Sequence, residues 1–313
     1  MRRLFTGVVI CAAGWLGPGC ALRAPIVGNS TSAESSKLPG NDSLETHIEK
    51  VRHLSTRPVA RVTAPANIER QDRELADALQ QLALSRTGEA HRRVAERYRA
   101  LGVSDVAYEH FSRALAMNGR DAAAHDGLAR VWRDWGFPDL ALGDVHRAVF
   151  YAPASAAVHN TMGTVLQALG QHDSARAAYE RASRLQPGAA YALSNLCYLS
   201  FLDGDFERAV STCRSALVVD PAFMAARNNL ALAHAAAGRL DLARAEFLDA
   251  GDQAVGLFNM GIVHMAGGNY ALATSAFNAA SRSNPSMSIA RERASQARRL
   301  ARNAGQEKSG EPK

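Results

Sequence analysis

The chain has 313 residues, 47% of them hydrophobic and 6% aromatic, and a formal net charge of +6. A positive balance can mark a nucleic-acid partner, but nearly all the cations here are arginines, interleaved with acids along the chain rather than gathered on one face. Composition therefore argues against nucleic-acid binding. After the first residues no apolar run is long enough to cross a bilayer.

The first element in chain order is a targeting segment. Arg2 and Arg3 precede an apolar run from Leu4 to about Leu16, too short to span a membrane and of the form of a secretory signal. Leu16-Gly17-Pro18-Gly19-Cys20 then resembles the lipobox of bacterial lipoproteins, with the leucine one place early. The resemblance implies lipidation of Cys20 and anchoring on the periplasmic side of the outer membrane. The alternative is cleavage after Ala21 and a soluble periplasmic protein. From residue 21 to 67, serine, proline, glycine and scattered charges dominate. Such a stretch buries too little apolar surface to offset its ordering entropy. It is expected to be a flexible linker with an r.m.s. reach of about 35–40 Å. A capping helix over 68–87 follows, with Ile68, Leu75, Leu79 and Leu82 on one stripe.

The body of the chain is periodic. Gly102, Gly136, Gly170, Gly204 and Gly238 recur at a step of 34, as do Ala107 to Ala243 and Ala114 to Ala250. An apolar slot runs Phe111, Val145, Tyr179, Cys213, Phe247, and Pro153, Pro187 and Pro221 close three units. Glycine can end one helix, alanines let two helices approach closely, and proline stops the second helix. Each unit is thus expected to be two short helices that must stack on neighbours to bury their apolar faces. Six units begin near residues 88, 122, 156, 190, 224 and 254, the last early because Ala250-Gly251-Asp252-Gln253-Ala254-Val255 replaces a helix end and its proline. The array is expected over 88–285, a C-terminal capping helix with Ile289, Ala297 and Leu300 over 286–304, and a disordered tail over 305–313.

The block Asn195-Leu196-Cys197, Gly204, Ala209, Cys213, Ala216, Asp220-Pro221 resembles the tetratricopeptide repeat, as do the blocks opening at Asn229 and Asn259. The resemblance implies an all-α, right-handed α-solenoid of about six helix-turn-helix repeats with terminal capping helices. It also implies a protein partner, held as a peptide or helix in a concave groove. In such arrays the first helix of each unit, helix A, shows a spaced set of residues to that groove. Carried over, repeats one and two supply Arg92, Arg99, Arg130 and Arg133 among Glu89, Glu96, Asp126 and Asp134. The third supplies Asn160, Thr164 and Gln167. Repeats four to six supply Tyr191, Ser194, Tyr198, Phe201, Asn228, Leu232, Ala235, Phe258, Ile262 and Met265. A charged half grades into an apolar, aromatic half. Glu96 stands where a terminal-carboxylate clamp needs asparagine, so that ligand is not expected.

No other cluster points to catalysis. His91, His125 and His159 recur at the repeat step, but equivalent side chains of stacked helices lie about 8–10 Å apart. A shared zinc needs about 2 Å, so these histidines are assigned to packing. Cys197 and Cys213 occupy core slots, as two buried thiols or, in an oxidising compartment, as a disulfide if their Cα atoms come within about 7 Å. Asp139, Asp203, Asp205 and Asp241 flank the interhelix turns and are expected as N-caps. There is no phosphate loop and no nucleophile motif. Neither an enzyme activity nor a metal, cofactor or small-molecule substrate is expected. The likeness extends to exported repeat lipoproteins that assist assembly of tight-adherence pili. An adaptor for peptidoglycan hydrolases or outer-membrane biogenesis, and a non-catalytic subunit of an enzyme complex, are the alternatives.

Overall fold

The computed structural model describes residues 68–309; Cys20, the signal and the expected linker lie outside them, as do residues 310–313. The described secondary structure is helical throughout. Two helices, α1 (Ile68–Gln71) and α2 (Arg73–Leu84), come first. Six hairpins follow among the described residues: α3/α4 (Gly88–Ala100, Ser104–Met117), α5/α6 (Ala122–Asp134, Pro138–Tyr151) and α7/α8 (Ala156–Ala168, His172–Leu185), then α9/α10 (Ala190–Leu202, Phe206–Val219), α11/α12 (Met224–Ala236, Leu240–Asp249) and α13/α14 (Gln253–Ala266, Tyr270–Ser283). α15 (Ser288–Ser309) closes the chain, continuing past residue 304, where the sequence reading placed its end. By internal contacts the chain divides into two compact units between Arg113 and Ala114.

In the first unit the expected capping helix is two helices, because Asp72 interrupts it. The Asp72 carboxylate accepts the Leu75 N–H at 2.8 Å as the N-cap of α2 and also pairs with Arg97 of α3. A short acid that bonds its own backbone ends one helix and starts another. The Arg97 guanidinium holds the Asp72 carboxyl below the usual carboxylate range. Leu75 is fully buried, with Leu79 and Leu82 half-buried beside it.

One contact recurs inside the hairpins. A small residue of the first helix, A, meets a larger one on the second helix, B, sixteen positions on: Ala129 with Val145, Gly163 with Tyr179, Ala231 with Phe247, Gly261 with Phe277, and the same slots of the first hairpin hold Ala95 and Phe111, both fully buried. A Cβ on Gly163 would stand 2.4 Å from Cε1 of Tyr179, and one on Gly261 2.5 Å from Cε1 of Phe277. The same pair of slots in the fourth hairpin holds Cys197 and Cys213, joined by a disulfide with their Cα atoms 5.2 Å apart. Of the two states left open for these cysteines, the bonded one is present.

Each A helix except that of the sixth hairpin ends on the glycine of the period, as Gly204 does at φ 81°; the sixth uses Gly268 at φ 74°. The next residue takes the cap position of helix B, so the side chain there decides whether the helix is capped. Asp205 is in that place and accepts the Arg208 N–H at 3.1 Å. Phe137, Gln171, Arg239 and Asn269 fill the equivalent position without a side-chain bond. The expectation of four capping aspartates is corrected to one. Asp139 and Asp241 lie in the first turns of α6 and α12, where a carboxylate suits the helix dipole. Asp203 sits before the glycine and pairs with His172 and Arg176 of the preceding repeat. Thr87, Asp121, Ser155 and Asp252 cap A helices instead.

In the second unit the A helices lie side by side, each packed on its own B helix and, from α7 on, on the B helix before it. A polar seam links them. Arg133 donates to Thr164 at 2.7 Å, Asn195 to Asn160 at 2.8 Å, and Asn229 to Ser194 Oγ at 3.0 Å. At the early sixth repeat, α12 has 10 residues where α10 has 14. Gly256 of α13 takes up the shortening, since a Cβ there would lie 2.5 Å from the Phe247 carbonyl oxygen. The face α15 turns to the array is Ala290, Ala294 and Ala297, all fully buried, with Ile289 and Leu300 only half-buried.

Two substitutions test this packing. Gly163→Ala, which needs Tyr179 to move, and Ala243→Leu at a fully buried slot should each lower stability by about 1–3 kcal/mol through overpacking. Urea unfolding measures it, and unchanged midpoints would contradict the pairing of slots given above.

Candidate functional site

The residues that sequence reasoning selected for the groove all lie on the A helices. In the first unit they are engaged by neighbours. Glu89 pairs with Arg93 at 2.6 Å and Arg99 with Glu96 at 3.6 Å, and Arg92 is half-buried. The arginines of the second unit are likewise engaged: Arg130 with Asp126 at 3.0 Å, Arg133 with Asp134 at 2.6 Å and with Thr164. These groups are held in place by their neighbours, so a charged ligand would have to exchange one set of ion pairs for another.

The apolar set divides in two. Leu232 is 7% exposed, in a cluster with Phe247 and Met260 against which Phe201 packs. Ile262 is 9% exposed and shares a cluster with Phe277, Ala294 and Ala297, onto which Phe258 and Met265 pack, Phe258 with its ring 5.3 Å from that of Phe277. In repeats five and six, then, Leu232 and Ile262 are covered, whereas Phe258 and Met265 stay half-buried at the edge of the last cluster. Repeat four holds three of the four rings in the set. Tyr191, Tyr198 and Phe201 are half-buried on one helix, α9. Tyr198 and Phe201 are stacked with centroids 6.0 Å apart, and Phe206 lies 6.1 Å beyond. The Tyr191 hydroxyl donates to Gln186 at 3.3 Å, and burial and then the Asp126 carboxylate raise its pKa. Asn228, next to this patch in sequence order, is half-buried with Oδ1 lacking a hydrogen-bond partner among the described residues.

The histidines of the ladder each find a separate partner. His91 Nδ1 meets His110 Nδ1 at 3.0 Å, His125 Nδ1 meets Asp144 at 2.9 Å, and His159 Nε2 donates to the Pro153 carbonyl at 2.9 Å. Among the described residues no three His, Cys, Asp or Glu side chains gather as a metal site. Sequence reasoning missed the asparagine seam, although Asn195, Asn229 and Asn259 mark the same place in successive repeats. It also missed the helix-internal histidines His234 and His264. These fill the slot held by Tyr98, Trp132 and Leu166 elsewhere, with Nδ1 lacking a partner among the described residues.

Burial lowers the pKa of His91, His110, His234 and His264, reinforced by Arg113 and Arg86 at His91, by His91 and Arg113 at His110, and by Arg239 and Arg214 at His234, where Glu207 opposes; His110 falls to about 4. Such groups are neutral when folded and take up protons more readily when unfolded. Their contribution to stability is complete above the unfolded value near 6.5 and is lost as pH falls toward the folded value. Urea midpoints should fall from pH 7 to pH 5, and a His234→Leu/His264→Leu variant, which copies Leu166, should show a shallower fall. An equal slope would remove these two histidines from the account.

Residues 160–221 and 203–255 match the family described as tetratricopeptide repeat. No curated protein matches the chain. Among solved structures, the Cut9–Hcn1 hetero-tetramer of APC/C superposes with a TM-score of 0.61 at 17% identity, over 71% of this chain and 45% of that one. PilW, described as a widely conserved type IV pilus biogenesis factor, gives 0.54 at 21%, over 64% of this chain and 94% of that one. PilF of Pseudomonas aeruginosa gives 0.51 at 20%, over 70% and 97%. The chain spans less than half the length of the first of these and nearly all of the other two. At these identities the likeness is one of fold.

Proposed function

We propose that this chain, a tetratricopeptide-repeat protein over its matched region, is a non-catalytic scaffold that binds a peptide or helix of a partner protein on the exposed face of its A helices. The observation that carries the reading is the Tyr191–Tyr198–Phe201 patch of α9. Its three rings are half-buried on one helix, two of them stacked, beside groups such as Arg133, Asn195 and Leu232 that neighbours engage or bury. Half-exposed rings of this kind supply large contact area at low entropy cost and are frequent anchors of binding energy.

Three observations support a cellular setting. The N-terminal segment has the form of a lipoprotein signal ending at Cys20. The Cys197–Cys213 disulfide suits an oxidising compartment. Two proteins of similar fold, PilW and PilF, are named for pili, PilW as a pilus biogenesis factor. These support the setting we propose: the periplasmic side of the outer membrane, with a lipid tether, and a part in assembling a pilus or secretion complex of the tight-adherence kind.

Tyr198→Ala and Phe201→Ala should each weaken partner capture from crosslinked membranes by about 2 kcal/mol or more, the size of an aromatic anchor, with the fold retained by circular dichroism. Undiminished capture would move the binding surface elsewhere. In the same strain Cys20→Ser should shift the protein from the membrane to the soluble fraction; a variant that stays membrane-bound would refute the lipid anchor.

A further inference from the structure

The disulfide stands in a slot that elsewhere holds packing. In the other hairpins the B-helix residue of the pair is a ring or a branched side chain filling the hollow over Ala or Gly, and every one is fully buried: Phe111, Val145, Tyr179, Phe247 and Phe277. Cys213 puts a single sulfur there, over Cys197. The cluster around it is built of small and aliphatic residues, Ala209, Val210, Leu230 and Ala233, and the groove ring Phe201 packs directly against it. Repeat four thus lacks the ring that clamps α8 to α7 and α14 to α13, and has one covalent bond in its place. Unbonded, the two side chains would be no larger than the Ala129–Val145 pair and smaller than the ring pairs of the repeats on either side, so they would make fewer contacts than those pairs.

We propose that oxidation of Cys197 and Cys213 is the step that orders repeat four, holding α9 in the position that presents Tyr191, Tyr198 and Phe201. The pair gives up two protons and two electrons to the disulfide of another molecule, which leaves as a dithiol. The ordering stands on packing alone; only its effect on capture rests on the binding reading above. With the thiols reduced, α9 and α10 are held at this slot by two small side chains, where the repeats on either side have a ring. The hairpins of repeats three, five and six keep their ring contacts and are indifferent to reductant.

Hydrogen exchange on the full-length protein, with and without a reductant, tests this directly. Reduction should speed exchange of residues 190–219 by at least about tenfold, the mark of a local opening made easier, and leave residues 156–185 unchanged. Cys197→Ala/Cys213→Phe, which copies the Ala231–Phe247 pair, should be protected like the oxidised protein in both conditions. Cys197→Ala/Cys213→Ala should exchange fast in both. Slow exchange of the reduced wild-type protein, which needs no substitution, would overturn the proposal, as would an Ala/Phe variant no better protected than the Ala/Ala one. Capture measured on the same samples separates the two readings. Loss of protection without loss of capture would confine the disulfide to ordering the hairpin and refute its role in presenting the groove, while failure of the oxidised protein to capture a partner would count against the binding reading alone.

Discussion

The array depends on the close approach of two helices at one point. Where a glycine or alanine of helix A meets a ring or branched residue of helix B, the backbones come near enough for the alanines above and below, such as Ala175 and Ala182, to be completely buried. Methyl groups that small contribute little by area alone; they stabilise the hairpin because there are many and the packing leaves few voids. The turn glycine, the cap position and the proline then set where each helix begins and ends. Remove the small residue and the remaining contacts lose their geometry together.

A second layer of specification is polar. Alanine-rich faces are nearly featureless and would tolerate sliding of one repeat against the next. Hydrogen bonds have direction, so Arg133 on Thr164, Asn195 on Asn160 and Asn229 on Ser194 fix the offset between neighbouring A helices. The side-chain oxygen of Asn229 is buried with no partner among the described residues, so the seam carries some desolvation cost.

The period made the hairpins readable. Helices begin at Gly88, Ala122, Ala156, Ala190 and Met224, the positions expected, and at Gln253 beside the expected 254, because glycine, alanine and proline act through local backbone chemistry. What a side chain meets across the next repeat was not readable. Leu232 and Ile262 qualify for an exposed face by position within their own helix, yet a neighbouring cluster and the last helix cover them. Likewise Asp139, Asp203 and Asp241 were misassigned as caps, and only Asp205 was placed rightly, because a turn's register, one residue after the glycine, decides which acid reaches a free N–H. The state of the cysteines needed the distance between two helices, which a single sequence does not contain.

The joint at Gly256 has a consequence for how such a chain can change in length. Units that repeat at a constant step are interchangeable, so duplication or loss of one leaves every later contact in register. The sixth unit is not interchangeable with the rest. Its backbone lies so close to the Phe247 carbonyl that only glycine fits, and the helix before it, with 10 residues against the 14 of α10, is shorter than its counterparts. Growth of the array by copying is thereby confined to the part before α12, while the last hairpin and α15 descend together as one fixed terminus.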